Sequence, residues 1–293
     1  WAHGGRTWMQ PLVALLALGA KVQWLPYAGS GPGPSLGSGA GPLAASRSAV
    51  APENPAVARG GSRFFLDTAD VAEWEALLPL GMFHGVTTNP TLLERAGVAC
   101  TVDACRQLAC TAAALGVEEI MFQAWGADTA AMVDTGLRLA SIEPARVTVK
   151  VPVTGPGTAA ASELVQRGVR VCLTACYARE QALVASSVGA EYLAPYLGRM
   201  DDAGKDGIAE CRAMQAIVDG LGGSTRIFVA SIRSPGQLAE LAAAGLDSFT
   251  FSPAIARALF DEPLTRAAAA AFEEDAERGG AYAGLDPLND TRD

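Results

Sequence analysis

The sequence predicts a closed (β/α)₈ barrel of the TIM type, preceded by a disordered N-terminal segment. Three observations carry that expectation. From Arg63 onward, short β-rich runs alternate with Ala/Leu/Glu-rich helical stretches, the pattern of repeated β-α units. The alternation repeats eight times, on the scale of a barrel of ~250 residues. The competing open, doubly wound sheet normally carries a glycine-rich dinucleotide loop after its first strand, and Leu66-Asp67-Thr68-Ala69-Asp70 contains no glycine.

Residues 1–62 stand apart from the rest. They are rich in Gly, Pro, Ala and Ser, and a stretch such as Gly29-Ser30-Gly31-Pro32-Gly33-Pro34 cannot build a packed core. Leu12 to Ala20 is an apolar run too short to span a bilayer, followed by an acid-poor Ser/Ala stretch. That pairing resembles the two-part leader of some plastid proteins; the alternative is an upstream segment with no targeting role. The expected compartment is the cytoplasm or the plastid stroma.

The barrel domain is expected over 63–280. Its strands are read near 63–67, 84–88, 118–124, 146–152, 170–175, 191–195, 226–230 and 247–251, each a short run of β-formers. The helices between and after them are read near 70–79, 91–96 with 102–115, 127–141, 156–167, 178–188, 205–221, 234–244 and 253–260. A last helix near 264–278 lies beyond the eighth unit, where it would pack against a neighbouring subunit of a homo-oligomer. Residues 281–293 are expected to form a flexible tail.

Composition narrows the partners. The chain carries 22 Lys and Arg against 31 Asp and Glu, and residues 1–62 hold four of these bases but only one of the acids. The barrel region is therefore strongly acidic, which disfavours nonspecific nucleic-acid binding. An anionic small-molecule substrate must meet a local cluster of arginines. No apolar run approaches the ~20 residues of a membrane span, so no membrane partner is expected. Six cysteines form no CxxC pair, and the only histidines are His3 and His84, so no metal is anticipated.

Of three lysines, Lys150 falls inside the apolar run Val147-Thr148-Val149-Lys150-Val151-Pro152-Val153. An ammonium group there loses hydration, so either its head reaches a polar mouth or the amine becomes neutral. A neutral lysine amine is a nucleophile toward carbonyls. Snorkelling from a strand end or pairing with a buried acid are the ordinary alternatives.

Barrel enzymes place reactive groups at the C-terminal ends of strands. Asp67 ends the first run, Thr87, Thr88 and Asn89 the second, Gln123 the third, Lys150 the fourth and Thr174 the fifth. Tyr196 and Arg199 follow the sixth, and Ser231 and Arg233 the seventh. Imine chemistry needs these types together: a lysine, an acid/base, and groups that hold a water. Gln123, Thr174 and Tyr196 could position that water, Asp67 could take the proton of the hydroxyl at the cleaved carbon, and Asn89 could bind a substrate hydroxyl. Arg199, Ser231 and Arg233 could hold a phosphate dianion. Each has a plainer alternative. Asp67 could be a helix N-cap, Thr87-Thr88-Asn89 a turn, Tyr196 a core ring, and the arginines surface partners of helix acids. Asp201 and Asp202 read as a solvated helix start.

Phe64-Phe65-Leu66-Asp67-Thr68-Ala69, Gly85-Val86-Thr87-Thr88-Asn89-Pro90-Thr91, Val149-Lys150-Val151-Pro152-Val153-Thr154, Ala194-Pro195-Tyr196-Leu197-Gly198-Arg199 and Ala230-Ser231-Ile232-Arg233 together resemble the transaldolase family, small-subunit branch, nearest fructose-6-phosphate aldolase. The resemblance runs from about residue 63 to 278. It implies a class I aldolase barrel with no cofactor, acting on sugar phosphates. By motif, Lys150 would form the Schiff base, Asp67 act as acid/base, Asn89 and Thr87 bind substrate, and Arg199, Ser231 and Arg233 bind phosphate. True transaldolases of this family usually carry glutamate at the position of Gln123 and phenylalanine at that of Tyr196. The two departures imply cleavage of fructose 6-phosphate to dihydroxyacetone and glyceraldehyde 3-phosphate. The alternatives are a transaldolase of the pentose phosphate pathway and a noncatalytic sugar-phosphate-binding barrel.

Overall fold

The computed structural model of the protein describes residues 61–281; the expected leader and most of the expected tail lie outside the described residues. Eight strands pair in chain order, all parallel: β1 (Arg63–Asp67), β2 (Phe83–Thr87), β3 (Glu119–Gln123), β4 (Val147–Pro152), β5 (Val171–Cys176), β6 (Tyr192–Pro195), β7 (Arg226–Val229) and β8 (Ser248–Phe251). Pairing of β8 with β1 closes the barrel and removes both sheet edges.

The helices cover the outside. α1 (Val71–Leu77) follows β1, α2 (Pro90–Arg95) and α3 (Val102–Ala114) follow β2, and α4 (Thr129–Ala140) follows β3. Next come α5 (Gly155–Gln166) after β4, α6 (Gln181–Val188) after β5, and α7 (Leu197–Asp202) with α8 (Gly207–Leu221) after β6. α9 (Pro235–Ala243) follows β7, and α10 (Pro253–Ala258) with α11 (Pro263–Arg278) follow β8. Most starts obey local chemistry. Asp70, Asn89, Thr101, Asp128, Thr154, Asp206, Ser234 and Ser252 each accept an N–H of the first turn, and Pro opens α2, α9 and α10 where no donor is needed.

Strand alternation sorts side chains into two cores. Val147, Val149 and Val151 of β4 face outward into the layer between sheet and helices, with Trp74, Leu139 and Leu164. Lys150 has the opposite parity and pairs in register with Gln123 and Cys172. The barrel interior is plugged by Phe65, Met121, Cys172, Tyr192, Ala194 and Phe228. Its rings meet edge-on or tilted, with Phe65 and Phe228 centroids 4.8 Å apart and Tyr192 and Phe228 5.3 Å apart.

The N-terminal end of the barrel is closed by charge rather than by apolar packing. Glu119, only 1% exposed, accepts hydrogen bonds from Thr148 Oγ1 (2.7 Å), Arg170 Nη2 (2.8 Å), Tyr192 OH (3.0 Å) and His84 Nε2 (3.3 Å). Arg170 also grips Glu191 through two nitrogens, at 2.7 and 2.8 Å, and Arg63 joins Tyr192 and Glu191. Residues of β1, β2, β3, β4 and β6, with Arg170 and Glu191 just before β5 and β6, are thereby tied at one end.

α11 buries none of its residues in this chain, and its Leu264 and Phe272 are 80% and 71% exposed. No helix among the described residues is long and apolar enough to cross a membrane.

Candidate active site

The opposite end of the barrel opens into a cavity of about 450 Å³. Seven of the residues singled out in the sequence line it: Asp67, Asn89, Gln123, Lys150, Tyr196, Arg199 and Ser231. They come from the ends of β1, β2, β3, β4, β6 and β7. Convergence follows from closure, because parallel strands all end on one rim.

Lys150 is 3% exposed, and its Nζ donates to the Thr88 carbonyl oxygen at 3.2 Å. Its neighbour on β5 is the fully buried Cys172, whose thiol is pushed up to about 12 by burial, with the Lys150 charge opposing. That thiol stays protonated and supplies no counter-charge to the amine. Gln123 flanks the lysine from β3.

Asp67 is not a helix cap; Asp70 takes that role for α1, accepting from Ala72 N at 3.0 Å. Asp67 instead receives the Thr87 hydroxyl on Oδ1 at 2.7 Å. Thr87 has one proton and gives it to Asp67, so its oxygen accepts from the Thr250 hydroxyl 2.6 Å away. The chain of hydroxyls fixes one carboxylate oxygen and leaves the other for the cavity. Thr250→Val should lower kcat about tenfold, or about 1.4 kcal/mol of barrel-imposed orientation, with KM within about twofold, and Thr250→Ser should restore it. Steady-state kinetics on purified variants would check this.

Thr87 thus stands behind the cavity wall, and so does Thr174, whose Oγ1 lies 3.0 Å from Tyr196 OH. Tyr196 lines the cavity, with the Tyr177 ring edge-on to its own and the centroids 5.7 Å apart. Asn89 does two things at once. Its Oδ1 accepts from Leu92 N at 3.0 Å, capping α2, while the residue also lines the cavity. The amide nitrogen is left for a ligand.

Arg199, expected in a loop, sits on α7 with its guanidinium 5.4 Å from the Tyr196 ring centre. Among the described residues, Ser231 is one of two non-glycine residues with positive φ, at 60°, and Ala175 is the other, at 56°. Both line the cavity, where strained backbone re-aims a strand end. Arg233 is not part of the wall. Its Nη2 bonds Asp202 at 2.5 Å and the Gly198 carbonyl at 3.3 Å. Asp201 and Asp202 therefore end α7 rather than start a helix, Asp201 accepting from Gly207 N at 2.9 Å.

Gly198 holds α7 against the loop after β7. A Cβ there would lie 2.5 Å from both Arg233 Nε and Ser231 O, and its own N–H bonds Ser231 O at 2.9 Å. Gly198→Ala should cost about 1–3 kcal/mol by overpacking, read as a lower unfolding temperature, and should displace Ser231 and Arg199 together.

Of the other lining residues, Pro90, Thr91 and Ala230 fall within the quoted motifs, whereas Leu92, Arg95, Ala175, Tyr177 and Thr250 were not singled out in the sequence. Tyr177 lies one residue beyond β5 and Thr250 one residue short of the end of β8, so strand-end logic extended by one position would find them. Arg95 lies on α2, where only helix phase points inward. Among the described residues no group of three or more His, Cys, Asp or Glu could hold a metal ion.

A buried amine at the mouth of a closed parallel barrel, beside an oriented carboxylate and a hydroxyl-bearing ring, defines an enzyme of the Schiff-base aldolase class. A family model described as "Transaldolase/Fructose-6-phosphate aldolase" matches residues 64–284, and the chain belongs to that family. It is 36% identical over 220 residues to a "Probable transaldolase" of Phenylobacterium zucineum (strain HLK1), covering 74% of this chain and 98% of the relative. Relatives with the same description from Hyphomonas neptunium (strain ATCC 15444) and Leptospira biflexa serovar Patoc (strain Patoc 1 / Ames) are 35% and 32% identical, covering 98% and 97% of their lengths.

Proposed function

We propose that the protein is a transaldolase, moving a dihydroxyacetone unit from a ketose phosphate to an aldose phosphate through an imine on Lys150. The observation that carries this reading is that the buried Lys150 lines one cavity with Asp67. The descriptions of its curated relatives favour transfer over the simple cleavage expected from Gln123 and Tyr196.

In this reading the neutral amine adds to the C2 carbonyl of the donor, and loss of water gives a protonated imine. The free oxygen of Asp67 takes the proton of the C4 hydroxyl. The C3–C4 bond breaks, its electron pair passes into the imine as an enamine, and an aldose leaves. The enamine carbon attacks the acceptor aldehyde, Asp67 returns its proton, and water releases the new ketose from Lys150. Asn89 holds a substrate hydroxyl, and Gln123 with Tyr196 positions the water. Ser231 and Arg199 receive the phosphate, and Arg233 joins them on leaving Asp202. A homo-oligomer fits the exposed apolar residues of α11.

The second reading is fructose-6-phosphate aldolase activity, favoured by the Tyr196 hydroxyl in the cavity wall, bonded to Thr174. A proton donor there would protonate the enamine and release dihydroxyacetone. Product analysis separates the two. Turnover of fructose 6-phosphate that requires erythrose 4-phosphate is expected for transfer. Free dihydroxyacetone formed without any acceptor would replace that reading with the aldolase.

A further inference from the structure

Tyr177 has no part in the imine chemistry above, yet several independent ties converge on it. It follows β5 by one residue and lines the cavity. Ala175, two residues earlier, is held at φ 56°, and the β5–β6 register shifts between Leu173 and Cys176. A non-glycine residue keeps that conformation only where its surroundings over-determine it, and such strain clusters at active sites and ligand clamps. Beyond the strained turn the Tyr177 N–H donates to Gln181 Oε1 at 2.9 Å, and the Ala178 N–H to the same oxygen at 3.2 Å. The Tyr177 carbonyl accepts from Lys205 Nζ at 2.7 Å, across 28 residues. The Arg179 N–H donates to Glu210 Oε2 at 2.9 Å, which fixes the segment to α8.

What these ties aim is the ring. It meets the Tyr196 ring with the centroids 5.7 Å apart and the planes at 70°. Arg199 lies over the same Tyr196 ring, 5.4 Å from its centre, and Thr174 Oγ1 lies 3.0 Å from the Tyr196 hydroxyl. β5, which leads into Tyr177, stands between β4, which bears Lys150, and β6, which leads into Tyr196.

We propose that Tyr177 is a positioning residue for Tyr196: its ring fixes the phenol so that the hydroxyl stays on Thr174 and serves the water and proton transfers of imine chemistry at Lys150. This role rests on the imine reading above and is the same for transfer and for simple cleavage, since both use the Tyr196 hydroxyl. A displacement of about 1 Å in a reacting group costs up to about a hundredfold in rate.

The test is steady-state turnover of fructose 6-phosphate, with erythrose 4-phosphate present, by the full chain and its variants. Tyr177→Leu should lower kcat about tenfold with KM within about threefold, whereas Tyr177→Phe, which keeps the ring, should stay within about twofold of wild type. Lys205→Met releases the Tyr177 carbonyl from an exposed position outside the cavity wall. It should lower kcat about threefold, and it decides the matter if Tyr177→Leu does not fold. In a Tyr196→Phe background, Tyr177→Leu should change kcat by less than about twofold, because the hydroxyl it positions is gone. Undiminished kcat in a folded Tyr177→Leu, a rise in KM alone, or an equal loss in the Tyr196→Phe background would overturn the proposal. Borohydride trapping with fructose 6-phosphate is run in parallel. A wild-type chain with no adduct on Lys150 loses the imine reading and this role with it, whereas a wild-type adduct beside an unimpaired Tyr177→Leu removes this role alone.

Discussion

Lys150→Met should reduce kcat by roughly 10⁴-fold or more, the order lost when a covalent nucleophile is removed, while leaving a folded protein. Methionine suits the site sterically: it is unbranched, flexible and apolar, and the lysine it replaces is 3% exposed with a single bond to the Thr88 carbonyl. Removing a buried amine also removes its desolvation cost, so the variant is expected to melt at or above the wild-type temperature. Loss of activity with gain of stability would mark the lysine as retained for chemistry. Mass mapping after borohydride reduction with fructose 6-phosphate should place a three-carbon adduct on Lys150 of the wild type, with Lys205 unmodified. An adduct persisting in the variant would reassign the imine.

Glu119→Gln should produce the largest loss of stability, about 3 kcal/mol or more, because it breaks a buried charge network from one side. In a domain of this size that is a fall of roughly 6–12 °C in unfolding temperature. Burial alone would raise the carboxyl's pKa, but the His84 hydrogen bond, the Arg170 charge and the Thr148 hydrogen bond outweigh it and hold the group below the ordinary carboxylate range. A depressed native value means that the stabilisation is complete above the unfolded value of about 4.3, and is lost as pH falls through the lower native one. Wild-type stability should therefore decline more steeply than that of Glu119→Gln as pH drops below about 4. Chemical denaturation across pH 3–7 measures both slopes. Parallel slopes would mean that Glu119 titrates alike in both states.

The eight units were legible because a parallel barrel repeats one local pattern, and strand and helix spans shift by only a few residues. Lys150 was legible as a charge in an apolar run, and Asp67, Asn89, Gln123, Tyr196 and Ser231 as polar ends of apolar strands. What escaped were relations across the barrel. Glu119 meets Tyr192 over 73 residues and Arg170 over 51, and nothing local in Glu118-Glu119-Ile120 distinguishes a keystone from a strand cap. Arg233 meets Asp202 over 31 residues, so strand-end logic put it in the wall when its guanidinium is turned to α7. Thr87 and Thr174 lie on this side of the barrel but behind the cavity wall, and that they bond Asp67 and Tyr196 depends on hydroxyl geometry. Arg95 was hidden by its helix, since an arginine in a last turn is ordinary helix composition.

The division between a barrel end sealed by Glu119 and its partners and an end lined by Arg95, Tyr177, Arg199 and Ser231 bears on evolvability. The two sets share no residue, and the plug of Phe65, Met121, Tyr192 and Phe228 lies between them. Substitutions on the rim should therefore draw little from the stability reserve held at the other end. A library randomised at positions 95 and 177 can be screened for new donors and acceptors with most members still folded, whereas the same diversity at positions 119, 170 and 191 would return mainly unfolded chains.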